Sequence, residues 1–527
     1  MASTDLSAGL TGQIAHPDGR VDLADPAAIA GSHFANADLA PVPASGRTWT
    51  TYNYFALWIG MSHNLATYAL AASLIAVGMS PWQALLTIAA GNVIVLVPML
   101  LNAHAGTKYG IPFPVFARAF YGLRGANLPA ILRALVACGW FGIQTWIGGE
   151  GVYVILGKLA GQGWIDAARF GGQPWTLWLS FAVFWVIQVG IIWRGMNAVR
   201  RFENWAAPAV LVVFLALLGW IVAKAGGFGP LLSQPSHLGW GAGFWRVFAP
   251  SLMAMIAFWS TLSLNIPDFT RFSRSQRGQA VGQVLGLPTT MTFFCLLAIL
   301  ITSGAAAIYH QVLWDPVQLA ARLSNPAVVI LGLATVLVAT VSVNVAANVV
   351  SPSYDFSNLA PRVISFRLGG LITGVVGVAL QPWRLLSSAD VYIYTWLGFY
   401  GGLIAAVAGV LVAGYWVTVR TRLNLADLYR PAGGYWYRGG WSWTAVAATV
   451  AGALLAVGGA WSAPGTGPFP ARGLIPVLKP LYDYSWVVGF VVGFASYLLL
   501  AALAPGSRPG RSKVLAATGI RAGGEGE

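Results

Sequence analysis

Charge is scarce in this chain. Asp, Glu, Lys and Arg make up 9% of its 527 residues, against roughly 25% in ordinary soluble domains. No soluble core needs the 57% of hydrophobic residues that fill the rest. A globular soluble protein is excluded. Cysteine is scarcer still: Cys138 and Cys295 both fall inside apolar segments. That excludes a disulfide framework and a zinc site. Acidic side chains are outnumbered, 16 against 30 Lys and Arg, but the basic surplus is spread over short loops between apolar segments. It speaks for orientation in a membrane rather than for nucleic-acid binding. A Gly-rich phosphate loop with its Lys, an HExxH pair and a GxSxG elbow are all missing. Nothing points to ATP-driven transport, hydrolysis or a bound cofactor. The first 48 residues have no apolar core behind a basic start, so they are not a signal peptide. They are polar and read as a flexible cytoplasmic tail.

What is abundant is apolar sequence in lengths that cross a bilayer, about twenty residues each. Such windows begin near residues 52, 81, 130, 175, 205, 245, 281, 326, 368, 390, 442 and 482. The reading is an all-α integral membrane protein with about twelve transmembrane helices. The segment Ile111 to Gly125 is too broken by Pro and Gly to span. It is expected to lie in the interface or to re-enter. Most Lys and Arg fall on one side of this topology. The positive-inside rule then places both termini in the cytoplasm of a cell with this protein in its inner or plasma membrane.

Polar interruptions come next. Helix 1 contains GMSHN, Gly60 to Asn64, and helix 6 contains WSTLSLNIPDF, Trp259 to Phe269. Interrupted helices at matching places in two halves point to an inverted-repeat transporter with its site at the breaks. The expected units are 1–48 as tail, 49–226 and 240–418 as two five-helix repeats, 440–504 as two further helices, and 505–527 as a second tail.

Helix 3 carries GWFGIQTWIGGEG, Gly139 to Gly151. Trp140 and Gln144 are spaced i, i+4 and share a face. An indole offers a flat stacking surface, and an amide can both donate and accept at a planar ligand's edge. Helix 8 offers Asn344 and Asn348 with the same spacing, and helix 6 adds Trp259. Ordinary helix–helix hydrogen bonding is the rival account of each amide, and packing of each Trp. Together they suit a flat, uncharged, hydrogen-bonding ring. Asp268 with Arg271, Arg274 and Arg277 reads either as a gate ion pair or as snorkelling interface residues.

These motifs, with TTYNYFALW (Thr50 to Trp58), FWSTLSLNIPDFTRF (Phe258 to Phe272) and VNVAANVVSPSYDF (Val343 to Phe356), resemble the nucleobase:cation symporter-1 family. The likeness runs from about Thr48 to Tyr429 and leans towards its allantoin and uracil permease branch. It implies a leucine-transporter fold of two inverted five-helix repeats plus two C-terminal helices. It implies import of a small heterocycle, with no nucleic-acid partner and a monomeric state. Sodium-coupled hydantoin, cytosine or purine permeases of the same family are the alternative, and a non-transporting membrane sensor is the alternative class.

Carried over from that family, Trp140 and Trp259 would stack the substrate, with the Phe258 backbone facing it. Gln144 and Asn348 would read its edges, and Asn64 would be the polar substrate-binding residue at the helix 1 break. The family's sodium site maps to the carbonyls of Gly60, His63 and Ala339 and to two hydroxyl positions, Ser342 and Val343. Val343 has no side-chain oxygen to offer a hard cation, a departure from the family's sodium-site pattern that favours H⁺ over Na⁺ as the coupling ion. Glu150 is then a candidate proton carrier, because an intramembrane carboxylate is costly unless it has work to do. It is equally readable as a structural tie to a neighbouring helix.

Overall fold

The computed structural model describes residues 12–194, 196–504 and 509, with the side chains of residues 194–208, 210 and 342 outside that description. Among the described residues, eight helices are long and apolar enough to cross a membrane, and four shorter apolar helices complete a set of twelve spans. Span 1 is split into Thr51–Ser62 and Leu65–Ala76. Span 2 is Pro81–Tyr109, span 3 Asn127–Ala160, span 4 Trp175–Arg194 and span 5 Met196–Ala225. Span 6 is Ala242–Asn265, span 7 Gln276–Tyr309, span 8 Pro326–Asn348 continued by Val350–Leu359, and span 9 Phe366–Ala379. Span 10 runs from Val391 to Thr418, span 11 is Trp443–Val457 and span 12 Ser485–Leu503.

Spans 1, 2, 6 and 7 pack on one another, and spans 3, 4, 8 and 9 form a second group. Small residues let these backbones approach, as they must in lipid, where packing rather than hydrophobicity holds helices together. A Cβ on Gly142 of span 3 would stand 2.3 Å from the Gly377 carbonyl of span 9. One on Gly91 of span 2 would stand 2.5 Å from the Met255 Cβ of span 6.

The break in span 1 has a local cause. Asn64 is extended at φ −148°, ψ 168°; its Oδ1 accepts from the Thr67 N–H at 3.0 Å and its Nδ2 donates to the Met61 carbonyl at 2.7 Å. One amide thus serves orphaned backbone groups on both sides of the gap. Span 6 differs from expectation. It is helical through Trp259 and ends only at Asn265, where Pro267 opens a short helix to Thr270. The expected interruption is confined to the end of the WSTLSLNIPDF stretch. Span 8 bends at Val349, φ −119°, where the ring of Pro352 crowds the carbonyl four residues before it.

One further expectation is corrected, and two others are narrowed. The segment expected to be a flexible tail is packed from its β-hairpin, Gln13–Ala15 with Val21–Leu23, onward. Arg47 pairs with Asp22 at 2.8 Å and donates to the Thr107 and Lys108 carbonyls at the end of span 2. Asn36 reaches Ser357 of span 8 at 2.8 Å, and Tyr429 donates to the Leu39 carbonyl at 2.7 Å. Part of its polar composition serves hydrogen bonding to the helices rather than solvation. The segment after span 2 is not a Pro- and Gly-broken loop: Phe113–Tyr121 is a helix with every residue buried in protein. Asp268 and Arg271 do not pair with each other. Asp268 accepts from the Phe113 N–H at 2.7 Å, and Arg271 donates to the Asp38 carbonyl at 2.8 Å. The ion pair buried nearby is Arg133–Asp355, 3.4 Å, between spans 3 and 8.

Candidate functional site

Trp140 is enclosed by aromatic rings from two other spans. Phe258 of span 6 lies 4.9 Å away, and Tyr392, Trp396 and Tyr400 of span 10 lie 6.1, 6.3 and 6.3 Å away, all edge-on. The Trp140 Nε1–H donates to the Tyr400 hydroxyl at 3.1 Å. Trp259, on the same span as Phe258, contacts Phe258 at 5.0 Å and Trp58 of span 1 at 5.1 Å. The two expected stacking indoles are therefore brought to one place, but the Phe258 ring stands between them. The side chain of Phe258, and not its backbone alone, packs in this aromatic cluster.

Gln144 lies one turn from Trp140, 5% exposed, and its Oε1 is buried without a hydrogen-bond partner. The Trp259 Nε1 is likewise buried and unpartnered, in a residue 4% exposed. A buried polar group left unbonded costs on the order of 1–3 kcal/mol, and here an acceptor and a donor are held this way beside an aromatic cluster. Asn348 is the last residue before the bend in span 8, and its Nδ2 donates to the Asn344 Oδ1 at 2.8 Å. Asn344 itself is spent on structure. Its amide nitrogen donates to the Gln188 Oε1 at 2.7 Å and to the Phe141 carbonyl at 3.1 Å, tying span 8 to spans 4 and 3. Asn64 is also committed locally, as the cap of the span 1 break.

The expected cation ligands sit on spans 1 and 8, which touch. His63 is the residue at which the first half of span 1 ends; its ring packs edge-on against Phe294 at 4.9 Å, and Nδ1 meets the Ile59 carbonyl at 2.5 Å. Gly60 is half-buried, and Ala339 and Val343 are buried. Ser342 lies outside the described side chains. At the break the Met61 carbonyl accepts from the Asn64 Nδ2 at 2.7 Å and the Ser62 carbonyl from the Asn64 N–H at 3.2 Å, and Val343 has no side-chain oxygen for a hard cation.

Glu150 is elsewhere. It lines a cavity of about 100 Å³ with Ala69, Ile147, Asp315 and Gln318, on the far side of span 3 from Gln144, as its position six residues along the helix requires. Asp315 caps the helix Pro316–Ala321 by accepting from the Val317 N–H at 2.9 Å, and burial holds its carboxyl above the ordinary carboxylate range.

Sequence reasoning missed Trp58, Tyr392, Trp396 and Tyr400. A signal existed for the last three: they recur at i, i+4 and i+8 in VYIYTWLGFY, one stripe of a helix.

A family profile described as "Permease for cytosine/purines, uracil, thiamine, allantoin" matches residues 41–489. The chain is 41% identical over 482 residues to the allantoin permease of Bacillus subtilis (strain 168), covering 90% of this chain and 94% of that one. It is 40% identical over 472 residues to the purine-uracil permease NCS1 of Arabidopsis thaliana, covering 89% of this chain and 78% of that one. Its fold is similar to that of Mhp1, a nucleobase-cation-symport-1 family transporter in a closed conformation with bromovinylhydantoin bound. The TM-score is 0.72 at 24% identity, over 90% of this chain and 97% of that one. The grouping of spans 1, 2, 6 and 7 against 3, 4, 8 and 9 is thus that of the leucine-transporter fold. The chain is a member of the nucleobase:cation symporter-1 family, a multi-pass membrane permease for small heterocycles and not an enzyme.

Proposed function

We propose that this permease imports an allantoin- or uracil-like ring by cation symport, with the proton as the favoured coupling ion. The observation that carries the reading is the pair of unbonded buried groups, Gln144 Oε1 and Trp259 Nε1, set around Trp140 and Phe258. A ring of alternating N–H and C=O groups supplies the donor that the amide oxygen needs and the acceptor that the indole N–H needs. The ring stacks on Trp140, and the Phe258 ring swings aside to bring Trp259 into reach. Asn348, at the bend of span 8, reads the remaining edge. The bundle of spans 1, 2, 6 and 7 then rocks against spans 3, 4, 8 and 9, exchanging access from one side to the other. In this reading the permease is a monomer in the cell's inner or plasma membrane, and the distribution of Lys and Arg supports cytoplasmic placement of both termini. The second reading, which follows the family's sodium-site pattern at Gly60, His63, Ala339 and Ser342, is sodium symport of a hydantoin, cytosine or purine.

The test is uptake of labelled allantoin in cells expressing the full chain, with unlabelled uracil, hydantoin, cytosine and adenine as competitors. Saturable uptake displaced by uracil or allantoin supports the reading. Displacement by adenine or cytosine alone transfers the assignment to another branch, and the absence of any saturable uptake sinks it in favour of a sensor. Within the site, Gln144→Leu and Asn348→Leu are each expected to raise KM about tenfold or more, because the substrate's buried polar edge is left unpaired. Wild-type KM in both variants would mean that the ring is read from elsewhere.

A further inference from the structure

Tyr400 of span 10 joins three spans through one hydroxyl. It accepts the Trp140 Nε1–H from span 3 at 3.1 Å and donates to the Ala257 carbonyl of span 6 at 2.9 Å. Ala257 is the residue before Phe258, the ring that stands 4.9 Å from Trp140. Tyr400 is buried, and Trp396 packs on it at 4.8 Å. The next residue, Gly401, lets the two backbones close together: a Cβ there would lie 2.5 Å from the Ala257 Cβ. Four rings surround Trp140, but packing alone leaves an indole free to slide and rotate in its own plane. Of those four, Tyr400 carries the hydroxyl that meets the indole N–H. A phenol both donates and accepts, so one group sets the indole's rotation and ties it to the backbone from which Phe258 projects.

We propose that Tyr400 is a positioning residue for substrate recognition, its hydroxyl fixing the orientation of the Trp140 ring relative to Phe258. This rests on Trp140 as the stacking surface. The hydroxyl does not touch substrate; it acts through the indole edge and the Ala257 carbonyl. Its effect is therefore on affinity, and it depends on the presence of an N–H at position 140.

Tyr400→Phe, Trp140→Phe and the double variant of the full chain are compared for uptake of labelled allantoin and labelled uracil across substrate concentration. Membrane level and thermal melting in detergent are measured alongside. Tyr400→Phe should raise KM about tenfold, with Vmax within about twofold and melting little changed. Trp140→Phe should also raise KM, and the double variant should be no worse than Trp140→Phe alone within about twofold, since coupled residues do not add. Effects that multiply in the double variant would show that Tyr400 acts independently of the indole and overturn the proposal. So would a wild-type KM in Tyr400→Phe, a fall in Vmax alone, or a protein that fails to reach the membrane. If Trp140→Phe itself keeps wild-type KM while Tyr400→Phe does not, it is the stacking assignment that fails, and the proposal falls with it.

Discussion

Trp140→Ala should abolish saturable uptake while the protein still reaches the membrane. One aromatic stack contributes about 1–3 kcal/mol to binding a flat ring, which alone weakens affinity by roughly tenfold to a hundredfold. Here the loss is larger than the stack. Phe258, Tyr392, Trp396 and Tyr400 all pack edge-on against this one indole, so its removal lets Phe258 collapse into the space. The Tyr400 hydroxyl also loses the N–H that it accepts. Removing a buried Trp costs about 3–5 kcal/mol in a packed core, so melting in detergent must be measured beside uptake. Trp140→Phe separates the two effects, because it keeps an aromatic face and most of the volume. A Trp140→Ala protein with wild-type KM and rate would remove Trp140 from the site.

Uptake should be nearly unchanged when choline replaces sodium and should fall when a protonophore collapses the proton gradient. The reason is a missing oxygen. The site mapped to the carbonyls of Gly60, His63 and Ala339 has Val343 where a hydroxyl is expected, and Na⁺ needs several oxygens at once. A proton needs one titratable group, and Glu150 beside Asp315 in a cavity of about 100 Å³ offers it. The cavity is bounded by span 1 through Ala69 and by span 3 through Ile147 and Glu150. It thus bridges the two four-helix groups whose rocking the proposed transport cycle invokes. Glu150→Gln keeps the shape and hydrogen bonding but cannot release a proton. If Glu150 carries the coupling proton, concentrative uptake fails in this variant while downhill exchange of labelled for unlabelled substrate survives. If both survive, the residue is a tie between helices, and His63 is the next group to replace. Steep sodium dependence, with choline abolishing uptake, would overturn the proton reading altogether.

The sequence by itself determined the number, placement and class of the spans. Lipid demands about twenty apolar residues with every backbone group bonded internally, so windows expected near 81, 175 and 326 appear as helices beginning at Pro81, Trp175 and Pro326. The break in span 1 was legible for the same local reason, since Ser62, His63 and Asn64 interrupt an apolar run and Asn caps a helix with its own amide. The order of family motifs was legible because it is a matter of residue identity. Tertiary structure alone decided how distant side chains share their bonds. Arg47 and Asn36 read as solvated polar residues of a tail until spans 2 and 8 supply carbonyl and hydroxyl partners. Asn344 and Asn348 look alike in sequence, but Gln188 of span 4 takes the first into the scaffold and leaves the second at the bend. Trp140, Phe258 and Tyr400 come from three spans, and the wedge of Phe258 between two indoles depends on how closely spans 3, 6 and 10 approach. That distance is set by packing between helices, which no local pattern encodes.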